Sequence, residues 1–368
     1  MIEAAERLAR ELVPVAEAGE PGRVNLPLLR RLAESGLFDR VLRAETDVPA
    51  LDLCLIREGL ARYCTEAETA FAVQCLGSHP IVSAHGPAAS EWIPAVAAGE
   101  VAAGFALTEP GAGSDVAALA LRAKREAGGW RLTGEKAYIS NAPDAAIYSV
   151  FARTGPGEGA RGLTAFAVPM ESEGLRGEPI ALISPHPIGR LIFDGVFVAD
   201  EYVLGEVGAG FKVAMRTLDL FRPSVGAFAV GMAQAALDAA VAHVTAREAF
   251  GGKLSDLQGV SHQLADVATR VQASRLLVRD AAARYDADER PVTQAAAMAK
   301  LFATETAQVA VDVAVQVHGA RALEQGHLLE HLYREVRAPR IYEGASEVQR
   351  EIIARQLFRS SAAPRPAG

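Results

Sequence analysis

The stretch Ile341-Tyr342-Glu343-Gly344-Ala345-Ser346-Glu347 puts a carboxylate, Glu343, on a short loop between two helical segments, where it could take a proton from a bound substrate. Upstream, the spacing of Leu328, Leu329, Leu332 and Val336 predicts a helix that Pro339 stops. Downstream, Ser346 and Gln349 have capping-box spacing ahead of Ile352, Ile353 and Leu357. The residues alone leave a second reading open, in which Glu343 is a solvated loop carboxylate and Glu335 or Glu347 could be mistaken for it.

A second candidate is Phe105-Ala106-Leu107-Thr108-Glu109-Pro110-Gly111-Ala112-Gly113-Ser114-Asp115. Hydroxyls and glycines fall where a β-prone run meets a turn, so backbone N–H groups can approach a cofactor closely, although an ordinary turn has the same composition. The glycines of Gly205-Glu206-Val207-Gly208-Ala209-Gly210 lack the Lys-Ser/Thr of a phosphate loop and read as a domain hinge. Among the eight histidines, His186 sits between prolines and reads as a surface loop residue. His327 and His331 have helical i, i+4 spacing without a third ligand, so no metal site is expected.

The elements that must position these groups follow from periodicity. Residues 2 to 100 are mostly helical: Leu8, Leu12 and Val15 share a face, Asn25 with Pro27 can start a helix, and Gly36 can end it. Residues 101–204 turn to short β-prone runs, among them Trp130-Arg131-Leu132-Thr133, Ala146–Phe151 and Leu163–Val168. Gly155-Pro156-Gly157-Glu158-Gly159 reads as a mobile hairpin loop. From 205 to 360 helical spacing returns, as in Leu257, Val260, Leu264, Val267 and Val271, and predicts a bundle of long helices. The Ala- and Gly-rich residues 225–242 permit close helix contact, and residues 361–368 read as a disordered tail.

Helices, then strands, then helices is not the alternation of a dinucleotide-binding sheet. The formal net charge of -8 gives no electrostatic reason to bind nucleic acid. Three cysteines outside any ligand spacing read as buried thiols of a reducing compartment. The charged N-terminus lacks a signal core and no run of about 18 apolar residues is evident, so no membrane association and a cytoplasmic location are expected.

The string Phe105–Asp115 resembles a signature of the acyl-CoA dehydrogenase family, and the resemblance covers nearly the whole chain. It includes Lys136-Ala137-Tyr138-Ile139-Ser140-Asn141, Arg247-Glu248-Ala249-Phe250-Gly251, Gln316-Val317-His318-Gly319 and Tyr342-Glu343-Gly344, in family order. It implies a multidomain α+β flavoprotein fold: an N-terminal helical domain, a small central β domain and a C-terminal four-helix bundle. FAD is the implied cofactor. By position, Thr108 and Ser140 resemble the hydroxyls that bond the flavin, Phe105 and Leu107 its strand neighbours, Tyr138 the aromatic covering its ring, and Ser114 a pyrophosphate contact. Arg247, Phe250, Gln316 and Gly319 match cofactor contacts made by a neighbouring subunit, which implies a homodimer or homotetramer. Without the resemblance, Arg247 reads as a helix-end charge and Phe250 as a core aromatic.

Glu343 matches the family's base, which removes the α-proton of an acyl thioester as hydride leaves the β-carbon for flavin N5; Tyr342 precedes it beside the cofactor. A subset of the family takes its base from the segment matching Leu218-Asp219-Leu220-Phe221-Arg222-Pro223, where this chain has Phe221. Arg222 resembles the arginine that steadies the base's loop, and Asp219 and Phe221 match positions beside the substrate. Several departures touch the substrate side: Ala345 for threonine, Ala320 for a second glycine, Pro185-His186-Pro187, and a shortened segment from Val41 to Leu51. The implied activity is α,β-dehydrogenation of an acyl-CoA or acyl-carrier-protein thioester, with an electron-transfer flavoprotein or similar acceptor. The same fold also serves flavin monooxygenases, which need no base, and non-catalytic flavin-containing proteins that bind DNA.

Overall fold

The structure is a computed structural model that describes residues 1–42, 48–155, 159–289 and 292–362. The shortened segment after Val41 and the hairpin loop at 155–159 therefore fall partly outside the described residues. So do residues 363–368 of the expected tail, while a helix continues through Ala362.

Six helices come first: α1 (Ile2–Glu17), α2 (Leu26–Glu34), α3 (Leu37–Val41), α4 (Ala50–Ala61), α5 (Thr65–Ala84) and α6 (Pro87–Ala97). Eight strands follow: β1 (Ala103–Ala106), β2 (Arg122–Glu126), β3 (Gly129–Ser140), β4 (Ile147–Arg153), β5 (Leu163–Pro169), β6 (Leu175–Pro179), β7 (Ile188–Ala199) and β8 (Val203–Leu204). The rest comprises α7 (Gly210–Ala246), a two-stranded turn of β9 (Glu248–Ala249) and β10 (Gly252–Lys253), then α8 (Gln258–Asp286), α9 (Thr293–His318), α10 (Leu328–Glu335) and α11 (Ser346–Ala362). Contacts gather the chain into two compact units. One comprises residues 10–48 and 66–218, and the other residues 1–9, 49–65 and 219–368.

In the first unit the strands run β6-β7-β3-β2-β4-β5-β8, with β1 pairing in parallel with β4. The three expected β runs lie in β3, β4 and β5, and β4 and β5 are buried along almost their whole length. Asn25 caps α2 as expected, its side chain accepting from the Leu28 N–H. The buried Gln74 side chain fixes where β1 begins: its amide donates to Val96 and Val101 carbonyls and its oxygen accepts from Ala103 N–H. A satisfied buried amide of this kind specifies position, because each bond left unmade would cost about 1–3 kcal/mol.

In the second unit α7, α8, α9 and α11 are the long helices of the C-terminal part. Leu264, Val267 and Val271 line the buried stripe of α8, and α9 buries Ala296, Ala299, Ala303, Ala307, Ala310 and Ala314. Small side chains bring backbones together: a Cβ on Gly231 of α7 would lie 2.5 Å from the Glu58 carbonyl oxygen of α4. Leu257, expected on the α8 stripe, precedes the helix and is exposed, because the chain becomes helical only at Gln258.

Two sequence expectations need correction. One helix, α7, does hold an 18-residue window of mean hydropathy 1.5, long and apolar enough to cross a membrane by length and composition. That window is 72% buried within the chain, as the core helix of a bundle is. The capping box at Ser346 and Gln349 is not formed either. The Ser346 hydroxyl donates to Glu305, and the Gln349 amide donates to the carbonyls of Gly344 and Glu343.

Candidate active site

In the second unit the loop between α10 and α11 is fastened to α9 on both sides of Glu343. Before it, the Arg340 guanidinium meets Glu305 at 2.9 Å; after it, the Ser346 hydroxyl donates to the same carboxylate at 2.6 Å. At its centre the Gly344 carbonyl accepts from Lys300 Nζ at 2.6 Å and from Gln349 Nε2 at 2.9 Å. Glu343 and Gly344 both take left-handed backbone, with φ of 52° and 96°. For a residue with a side chain that conformation costs about 1–2 kcal/mol, so surrounding bonds must impose it.

The fastening aims the Glu343 side chain inward. The residue is half-buried, yet its Oε2 is shielded from solvent and has no hydrogen-bond partner among the described residues. Burial raises its pKa above the ordinary carboxylate value, while the charges of Arg57, Lys300 and Arg222 oppose that rise. Arg57, from α4, is anchored on α7 by a bond from Nη1 to the Ser224 hydroxyl at 2.7 Å and lies over the Phe228 ring. Lys300 has no exposed surface, and burial brings its own pKa down to about 8, against the pull of Glu343. Arg222 is buried and donates to Asp219 at 2.9 Å; its charge reaches Glu343, but its direct bond holds its own helix rather than the loop. Lys300 holds the loop instead. Asp219 is partly exposed beside Arg222, whereas Phe221 is fully buried. Tyr342 lies at the surface of the loop.

Lys300, Arg57 and Glu305 were not singled out by local sequence pattern. Lys300 had one usable signal: it falls within the buried stripe of α9, between Ala296 and Ala303, where a lysine needs a partner.

In the first unit, the β1–β2 connection is locked onto β3. Lys136 Nζ donates to the Leu107 carbonyl and to Glu109 Oε1, each at 2.8 Å, and the Ala137 N–H donates to the Thr108 carbonyl at 3.0 Å. Glu109 also accepts from the N–H groups of Ala120 and Leu121, at 2.6 and 3.0 Å. This lock sets Thr108 against the part of β3 where the pairing with β7 breaks, between Lys136 and Ile139. Tyr138 sits in that break with φ of 58° and is 61% exposed, which turns an aromatic face to solvent. The hydroxyls of Thr108 and Ser140 make no hydrogen bond among the described residues. Phe105 packs on Phe151 at 5.0 Å, Leu107 is buried, and Ser114 is exposed. Idle hydroxyls beside an exposed aromatic fit the flavin that the sequence resemblance implies.

Arg247, Phe250, Gln316 and Gly319 are all exposed, and the structure brings them to one end of α7 and α9. His243, one turn before Arg247, stacks on His318 with ring centroids 4.2 Å apart, and His327 meets His318 edge-on at 5.6 Å. Burial depresses the pKa of His243 and of His318. Phe250 is 92% exposed with left-handed backbone, so the core-aromatic reading fails: the β9–β10 turn carries it away from any interior. His327 accepts from the Leu329 N–H as the cap of α10, and His331 bonds Thr65 at 2.6 Å; no metal-binding cluster occurs among the described residues.

Known proteins give the context for this geometry. Residues 104–196 match the description "Acyl-CoA dehydrogenase, middle domain", and residues 208–358 match "Acyl-CoA dehydrogenase, C-terminal domain". A probable acyl-CoA dehydrogenase, FadE25, of Mycobacterium tuberculosis is 35% identical over 359 residues, covering 95% of this chain and 92% of its own. The structure of butyryl-CoA dehydrogenase from Megasphaera elsdenii superposes with a TM-score of 0.89 at 30% identity, covering 97% of each chain. PigA with FAD and proline superposes at 0.91 with 25% identity, over 97% of this chain and 96% of PigA. On these matches the chain belongs to the acyl-CoA dehydrogenase family.

Proposed function

We propose that the protein dehydrogenates an acyl thioester, carried on coenzyme A or an acyl carrier protein, to the α,β-unsaturated product, and that Glu343 removes the α-proton. It is an oxidoreductase acting on CH–CH bonds, and its cofactor is FAD. Bound FAD supplies the acceptor for the two electrons and the β-hydrogen. Thr108, Ser140, Tyr138, Phe105, Leu107 and Ser114 are the residues that would hold it.

The observation that carries this reading is the shielded, unpartnered oxygen of Glu343 on a loop whose backbone is fixed on both sides. An α-proton is weakly acidic, so its base must be strong yet ionised. Burial strengthens Glu343 as a base, and the charges of Arg57, Lys300 and Arg222 keep it from taking a proton too early. Asp219 and Phe221 are read as substrate neighbours and Arg222 as the charge beside the base. The exposed Phe250, with Arg247, Gln316 and Gly319, supports a homodimer or homotetramer in which these residues reach a neighbouring subunit's cofactor. An electron-transfer flavoprotein or similar protein is the proposed acceptor, and the cytoplasm the proposed location.

The test is anaerobic bleaching of the flavin by a panel of acyl-CoA and acyl-carrier-protein thioesters. The wild type is expected to bleach with at least one class, and Glu343→Gln to keep its FAD while bleaching falls by about 10²–10⁴-fold. Full bleaching by the variant would remove Glu343 from the chemistry.

A further inference from the structure

We infer that Lys300 is a positioning residue for Glu343: its ammonium grips the carbonyl of Gly344 and sets a buried positive charge beside the side chain that acts as base. The inference rests on the reading of Glu343 as that base.

Lys300 has no exposed surface, and its Nζ lies 2.6 Å from the Gly344 oxygen. No carboxylate lies within ion-pair distance of it among the described residues, so no contact neutralises its charge. Leaving a buried ammonium without a touching counter-ion is costly, and such a group persists where its charge is used. The charged groups facing this region come from four elements and one loop: Arg57 of α4, Arg222 of α7, Lys300 and Glu305 of α9, Glu347 of α11, and Glu343 itself. Of the three cations, Lys300 bonds the backbone that fixes Glu343's left-handed conformation, whereas Arg222 is bonded to Asp219 and Arg57 to Ser224. Loop geometry and electrostatics therefore meet in one side chain.

The sign follows from charge. Removing the ammonium leaves burial less opposed, so Glu343 holds its proton to higher pH and becomes a competent base only there.

The experiment measures the rate of anaerobic flavin bleaching against pH, from about 5 to 9, for wild type, Lys300→Met, Lys300→Gln and Lys300→Arg holoenzymes, with Glu343→Gln alongside. Both neutral variants are expected to move the acidic limb upward by about one pH unit or more, and Lys300→Arg to return it near the wild-type position. Two neutral variants are used so that poor folding of one leaves the other as the readout. A uniform loss of rate with the limb unmoved would mean that Lys300 is only structural, and would overturn the inference. Bleaching by Glu343→Gln at the wild-type rate would overturn the base assignment and the inference with it; no bleaching by that variant together with an unmoved limb in the neutral ones would overturn the inference alone.

Discussion

Two lysines without exposed surface, one in each compact unit, are satisfied in opposite ways. Lys136 touches a carboxylate: Glu109 lies at 2.8 Å and spends its remaining capacity on the N–H groups of Ala120 and Leu121. Among the described residues Lys300 bonds only a carbonyl, that of Gly344. Burial brings both pKa values down to about 8; at Lys136 it is opposed by the touching Glu109, and at Lys300 by the charge of Glu343 acting without contact. The closed pair in the β unit holds a loop in place and leaves little field beyond itself. The open one in the helical unit leaves its charge to be felt by Glu343. One buried lysine thus serves the fold, and the other serves a carboxylate.

That contrast is broken most forcefully at Lys136. Lys136→Met strands Glu109 as an uncompensated buried charge and should cost about 3–5 kcal/mol in denaturant unfolding, with loss of retained FAD. Pairing it with Glu109→Gln should recover part of that loss. Lys300→Met, which strands no contacting carboxylate and leaves Gln349 still bonded to the Gly344 carbonyl, should cost less than about 1.5 kcal/mol. Equal costs at the two sites would dissolve the distinction.

Gly344→Ala asks whether the loop backbone matters apart from charge. Its φ of 96° disfavours a side chain, and a Cβ there would lie 2.4 Å from Gln349 Nε2. A destabilisation of about 1–3 kcal/mol and slower flavin bleaching are expected. Wild-type bleaching in that variant would show that the loop's conformation is not needed.

The smallest effect belongs to the Glu305 clamp. Burial pushes its carboxyl upward, but the Ser346 hydroxyl and the Arg340 guanidinium outweigh it, so the folded-state pKa lies below the model-compound value of 4.5. A carboxylate with a depressed folded pKa adds stability that is complete above pH 4.5 and is lost as acid protonates it below. Because the pair is partly exposed, the gain should be only about 0.5–1 kcal/mol. The difference between wild type and Glu305→Gln in denaturant unfolding should therefore be full at pH 7 and shrink as the pH falls below 4.5; a constant difference would remove the clamp from the acid response.

These contacts mark how far the sequence could be read. Helical spacing located the bundle, because the stripe Leu264, Val267, Val271 repeats with the turn of the helix and is buried in fact. β-prone runs bounded by turn residues located β3, β4 and β5, of which β4 and β5 are buried on both faces rather than in alternation. The Glu343 loop announced itself by its own residues and by family resemblance. What holds that loop did not, since Lys300 and Glu305 reach it from α9, about forty residues earlier in the chain, and the charge of Arg57 reaches Glu343 from α4. Ser346 and Gln349 even pointed elsewhere: their spacing suits a cap, yet Ser346 is taken by Glu305 of α9 and Gln349 by the carbonyls of the Glu343–Gly344 loop itself. Phe250 misled in the same way, since an aromatic's usual burial is a statement about averages and a two-stranded turn can carry one outward.

The claim that Glu343 is the base is tested most directly on the proton itself. Holoenzyme incubated in D₂O with a 3-thiaacyl thioester, which cannot be oxidised, should exchange the α-hydrogens for deuterium as followed by NMR. Wild type is predicted to exchange them and Glu343→Gln to do so at least about 100-fold more slowly. Exchange by the variant at the wild-type rate would contradict the account.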